Sequence, residues 1–172
     1  MMNKRNFELL SSFSVLYVED EADLLKHTTS FLEDFFKKVH PAQTAEEALE
    51  ILKREKIDVI ITDIHLRYSN GLDLLKTIKH ELELELPSIV ATAFSDTEYL
   101  LDAIKLHVDN YIIKPVNIKE LLNSLHDVLL PKIQAKEIER SYNIIKTISA
   151  VTDSKQVEII RFIIKNLDSD NM

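Results

Sequence analysis

The 172-residue chain has no cysteine and a single glycine, Gly71. Without cysteine there can be no disulfide, no zinc–thiolate site and no cysteine nucleophile. That agrees with a reducing compartment. No apolar run approaches the roughly 18 residues that a membrane span needs, so no membrane association is expected. The N-terminal stretch MMNKRNFELLSSF starts basic but lacks an apolar core of signal-peptide length, and a cytoplasmic location is expected. A basic face is missing too. Residues 1–130 carry 14 Lys+Arg and 23 Asp+Glu, whereas residues 131–172 carry 7 and 6. The acidic part is a poor candidate for binding nucleic acid, and the near-neutral tail is no basic arm. The six histidines are scattered, with no metal-ligand spacing.

What is present is an ordinary globular mixture, 45% hydrophobic and 29% charged. Short apolar, β-branched runs alternate with segments of helical periodicity. SVLYV (14–18) reads as a strand and stops at Glu19-Asp20-Glu21. The next helix places Leu24, Leu25, Thr28, Phe31, Leu32, Phe35 and Phe36 at spacings of three and four. KVHPAQ is weakly strand-like, and Pro41 puts it at a sheet edge or a strand end. Thr44 and Glu47 form a capping box that opens AEEALEILKRE. IDVIIT (57–62) is the strongest strand, and Asn70-Gly71 marks a loop. LDLLKTIKHELELE reads as helix; its end, ELELEL, alternates like a strand, but continuity favours the helix. SIVATA is a strand, SDTEYLLDAIKL a helix, NYII a strand, and Asn117 with Glu120 a box before IKELLNSLHDVLL.

Strands alternating with helices of about 10–15 residues predict an α/β fold, a parallel sheet covered by helices on both faces. Such sheets bind ligands outside the carboxyl ends of their strands. Those ends carry Glu19 and Asp20, Asp63, Thr92 and Lys114. Three carboxylates within about 4 Å repel by on the order of 4 kcal/mol per pair at an effective dielectric of 20. A divalent cation reverses that sign, and an all-oxygen set favours Mg²⁺, Mn²⁺ or Ca²⁺ over zinc. Metal, hydroxyl and ammonium around one aspartate are the parts for phosphoryl transfer to a carboxylate.

The set YVEDE, IITDIHL…NG, VATAFSD and YIIKPV resembles the receiver domain of two-component response regulators over about residues 13–130. The resemblance implies a flavodoxin-like, doubly wound five-stranded sheet. It implies Asp63 as phosphoacceptor, with a sensor histidine kinase or a phosphotransfer protein as donor. Asp20 would ligate the metal directly, Glu19 through water, and His65 through its backbone carbonyl. Thr92 and Lys114 would bind phosphoryl oxygens, Tyr111 would be the switch aromatic, and Pro115 a cis proline. The chain departs from the family pattern in three places. Leu66-Arg67 stands where Met-Pro is usual, His107 stands near the usual helix-ending glycine, and His65 and Phe94 flank the site. A metal-dependent phosphatase is the enzyme alternative, because some hydrolases also use an aspartyl nucleophile.

The expected organisation is a lead-in over 1–12, a receiver over 13–130 and a helical extension over 131–172. Pro131 is expected at the first turn of a new helix that carries Ile138, Tyr142, Ile145 and Ile148 or Ser149 along one stripe. Asp153 and Gln156 would cap a second helix, SKQVEIIRFIIKNL. Three readings of this extension stand: an intramolecular cap, a homodimerisation element, or the start of a winged-helix domain that binds DNA.

Overall fold

The computed structural model describes residues 9–93, 97–151 and 158. The expected helix over 154–167 and its caps, Asp153 and Gln156, lie outside the described residues, as does Phe94. The chain divides into two compact units, residues 1–130 and 131–172.

The first unit is built on β1 (Ser14–Val18), β2 (Lys38–Ala42), β3 (Val59–Asp63), β6 (Ser88–Thr92) and β7 (Asn110–Ile113). All pair in parallel, in the order β2-β1-β3-β6-β7. This is the doubly wound arrangement expected from the alternation of strands and helices. β2 lies at the edge, where Pro41 has no second neighbour to donate to. The central strands β1, β3 and β6 are apolar along their middles because both faces are covered: Val15, Leu16, Ile60, Ile61, Ile89 and Val90 are all buried.

Helices α1 (Ala22–Glu33) and α2 (Ala45–Arg54) follow β1 and β2. Thr44 caps α2 as expected: its side chain accepts from the Glu47 N–H, while Glu47 reaches back to the Gln43 N–H. After β3 the chain makes a small antiparallel hairpin, β4 (His65–Leu66) with β5 (Ser69–Asn70), turning at Arg67-Tyr68. Asn70 then caps α3 (Gly71–Lys76), its side chain accepting the Leu72 N–H at 2.8 Å. Helix α4 spans Thr97–Lys105 and α5 spans Ile118–Val151, with Asn117 accepting the Lys119 and Glu120 N–H groups at its start.

Three expectations are corrected. Helix α1 ends at Glu33, so Phe35 and Phe36 lie in the turn beyond it. The helix after Gly71 passes into a π-helical turn over Thr77–Glu81 and ends at Leu82. Glu83 takes a positive φ of 52°, and 83–87 form neither helix nor strand. Periodicity could not see this. Leu82, Leu84 and Leu86 match either pattern, and Pro87 forbids the helix from running on. Pro131 does not open a helix but lies inside α5. The helical bond it forfeits would have gone to the carbonyl of Asp127, an exposed residue where water can replace it. The departure at His107 resolves simply, since His107 itself adopts φ 52° at the end of α4.

In the second unit the α5 segment from Pro131 onward leaves Ile138, Tyr142 and Ile144 exposed, at 71%, 63% and 60%. Ile145 and Ile148 are half-buried.

Candidate functional site at the carboxyl edge of the sheet

The sheet order reverses direction between β1 and β3, and at that switch point a parallel sheet opens a crevice beyond its carboxyl ends. Register brings the ends level: Val18 pairs with Thr62, Asp63 with Ala91, and Thr92 with Ile113. The polar residues that stop each strand therefore meet.

Asp63, only 6% exposed, ends β3. Glu19, 1% exposed, follows β1. One carboxylate oxygen from each of Glu19, Asp20 and Asp63 lies within 4.8 Å of the others. Lys114, just after β7, joins two of them. Its Nζ lies 2.5 Å from Asp63 Oδ2 and 2.9 Å from Glu19 Oε2. Burial pushes the Glu19 carboxyl above the usual carboxylate range; hydrogen bonding and charge from Lys114 pull it back, and the Asp63 charge adds to the rise. Burial opposes charge on Lys114, but its hydrogen bonds to Asp63 and Glu19 win, and its pKa is raised. One ammonium thus faces three carboxylates. Their oxygens are all hard donors, and a divalent cation would cancel the remaining charge. The residues fit such an ion.

Gly71 fixes the floor of the site. Its N–H donates to the Ile64 carbonyl at 2.8 Å. A Cβ there would stand 1.9 Å from the Asp63 carbonyl oxygen and 2.7 Å from Thr62 Oγ1. The only glycine in the chain is therefore required by close backbone approach under Asp63. The hairpin serves the same end, since the His65 N–H donates to Asp63 Oδ1 at 3.2 Å. The His65 ring packs edge-on against Tyr99.

The structure thus brings Glu19, Asp20, Asp63 and Lys114 together, with His65 contributing its backbone. Thr92 stands at the rim, its hydroxyl donating to the Ala93 carbonyl at 3.2 Å, and its own carbonyl receives the Lys114 N–H at 2.8 Å. Tyr111 is half-buried on β7 and packs against the core cluster that includes Val90 and Ala103. The Lys114–Pro115 bond is cis, as expected.

Sequence reasoning passed over one residue. Tyr17, 3% exposed, lies beneath the cluster and donates to Glu19 Oε2 at 3.4 Å. Its phenol is pushed well above the usual range, chiefly by burial. The signal was available: strand alternation puts residues 17 and 19 on one side, and a buried tyrosine hydroxyl needs a partner.

Comparison with known proteins adds a family. The response regulator receiver domain matches residues 15–126. The two-component response regulator ARR12 of Arabidopsis thaliana is 33% identical over 129 residues, 72% of this chain and 21% of the relative. An uncharacterised response regulatory protein of Staphylococcus epidermidis is 32% identical over 124 residues, 70% of this chain and 48% of the relative. The chain therefore matches less than half the length of either relative. Among solved structures, the N-terminal domain of an uncharacterised protein from Wolinella succinogenes is 31% identical, with a TM-score of 0.67 over 72% of this chain and 99% of that one.

Proposed function

The chain belongs to the response regulator receiver family of two-component systems, and from that premise we propose that Asp63 accepts a phosphoryl group from a sensor histidine kinase or a phosphotransfer protein. The observation that carries the reading is the Lys114 ammonium bridging two buried carboxylates, Glu19 and Asp63. An Asp63 carboxylate oxygen attacks phosphorus. A P–O bond to Asp63 forms as the donor's P–N or P–O bond breaks, and the leaving group departs with that electron pair. Lys114 moves its hydrogen bonds onto the phosphoryl oxygens, and the Thr92 hydroxyl donates to another. Glu19, Asp20, Asp63 and the His65 carbonyl would hold Mg²⁺ or Mn²⁺, which supplies charge neutralisation for the transferring group. Hydrolysis of the same bond returns the chain to its starting state, so its only catalysis is on itself. Tyr111 follows Thr92 and Lys114 as the switch. A cytoplasmic setting accords with this, and among the described residues no helix is long and apolar enough to cross a membrane.

Intact-mass spectrometry with acetyl phosphate tests the assignment. One added phosphoryl group is expected with Mg²⁺, none with a chelator and none in Asp63→Asn. Equal labelling of that variant would refute it.

The output we assign to residues 131–172 is self-association. Ile138 and Tyr142, four residues apart on one face of the helix, expose apolar surface, and a two-fold dimer is the commonest way to cover such a face. Ile138→Asp with Tyr142→Asp in the full chain should raise the dimer dissociation constant at least about tenfold, read by sedimentation equilibrium. A wild-type monomer at tens of micromolar, with and without phosphodonor, would contradict it.

A further inference from the structure

Tyr17 is costly where it stands. A phenylalanine would fill the same volume without burying a hydroxyl, and a buried hydroxyl is tolerated only when it is hydrogen-bonded. The phenol proton has an acceptor, Glu19 Oε2, at 3.4 Å. Thr28, 5% exposed on α1, lies beside the phenol. A carboxylate oxygen can only accept, so the tyrosine proton points to Glu19. The phenol thus links the buried side of β1 to the carboxylate cluster.

Glu19 has few other restraints. Oε2 also takes the Lys114 ammonium at 2.9 Å, and Oε1 takes the Glu21 N–H at 3.4 Å. Lys114 is shared with Asp63. On the reading given under Proposed function, a phosphoryl group on Asp63 draws Lys114 away. Glu19 Oε2 then keeps Tyr17 as its side-chain donor among the described residues.

We propose that Tyr17 is a positioning residue of the cation site, whose phenol fixes the direction of the Glu19 carboxylate and so tunes the site toward Mg²⁺ over larger ions. The proposal rests on the functional reading above but makes a separate claim. Mg²⁺ demands near-ideal octahedral geometry and keeps several waters, whereas Ca²⁺ tolerates irregular shells and longer bonds. A carboxylate that loses its fixed direction should therefore cost Mg²⁺ more than Ca²⁺.

Calorimetric titration of the full chain with MgCl₂ and with CaCl₂ tests this in wild type, Tyr17→Phe and Thr28→Val. Tyr17→Phe should weaken Mg²⁺ binding by roughly 3–10-fold, at or below the low end for groups that orient a metal's ligands, because the bond to Glu19 is long. Ca²⁺ binding should change by less than about twofold. Thr28→Val keeps both Tyr17 and Glu19 and should leave Mg²⁺ affinity close to wild type, as a control for packing beside the phenol. The thermal midpoint in EDTA should stay close to wild type in both variants. Unchanged Mg²⁺ affinity in Tyr17→Phe overturns the assignment of Tyr17 and leaves the functional reading standing. Equal weakening of both ions together with a fallen midpoint also overturns it, because that is what lost packing alone would give. A wild type that binds no Mg²⁺ overturns both.

Discussion

Aspartates stand at both edges of this sheet, and the two edges treat them differently. At the amino edge, Asp58 Oδ2 accepts the Ser14 N–H at 3.0 Å, and Asp109 Oδ2 accepts the Ser88 N–H at 2.8 Å and the Ser88 hydroxyl at 3.3 Å. Each carboxylate ties the start of its own strand to the start of a neighbouring strand, and so takes part in strand pairing. At the carboxyl edge, Asp63 and Glu19 accept from a lysine they share, and Asp20 stands within reach of both. There the charges gather beyond what folding needs. The lesson is that partners, not residue type, separate a structural carboxylate from a functional one. Asp58 and Asp109 are engaged by groups at strand starts, whereas Asp63 and Glu19, each with one backbone N–H, also crowd Asp20 and share a single ammonium.

The sharpest way to break this contrast is at Gly71, which underlies the functional edge. Gly71→Ala places a Cβ against the Asp63 carbonyl. The backbone must shift, at on the order of 3 kcal/mol, the upper range for overpacking. Chemical denaturation should show that loss, and phosphodonor labelling should fall with it. A stable, fully labelled Gly71→Ala would mean that the floor of the site is softer than its geometry.

A paired substitution comes next in size. Asp109→Ala leaves the Ser88 N–H, in a buried residue, without its acceptor, which should cost roughly 1–2 kcal/mol while labelling persists. Asp63→Asn relieves repulsion from Glu19 and Asp20 but weakens attraction to Lys114, and the two nearly offset. Its stability should stay within about 0.5 kcal/mol of wild type, with labelling abolished. If both variants lost stability equally, the distinction between the edges would fail.

The smallest effect is one of pH. The Glu19 carboxyl is raised above its ordinary value of 4.5 in the folded chain. A raised carboxyl binds its proton more tightly when folded, so the folded state gains at low pH. That gain is complete below about 4.5 and is lost as pH rises through the folded value. The thermal midpoint without metal should therefore fall over that window in wild type, and less so in Glu19→Gln. An identical slope in the variant would remove Glu19 as its source.

Much of the architecture was legible in the sequence. Apolar runs that stop at Glu19, Asp63 and Lys114 announce both the strands and the edge where they end, because a parallel sheet buries everything but its ends. The capping residues Thr44 and Asn117 were legible for the same local reason. What failed needed distances that a linear reading does not hold. ELELEL fits two periods, and the chain follows neither to its end: the helix stops at Leu82 and Glu83 takes a positive φ. Pro131 reads as a boundary because the rule concerns the bond lost, not whether water can replace it. Tyr17 was passed over because its run, SVLYV, satisfies the strand pattern without reference to its hydroxyl, although its alternation with Glu19 was there to read.

The most direct test of the account is to trap the acyl phosphate. The full chain is treated with acetyl phosphate and Mg²⁺ and reduced with borohydride, which converts an aspartyl phosphate to homoserine; the peptides are then sequenced by tandem mass spectrometry. The account predicts conversion at Asp63 alone, dependent on Mg²⁺, with Asp58 and Asp109 untouched. Conversion at another aspartate, or none at Asp63 under conditions where Mg²⁺ is bound, would contradict it.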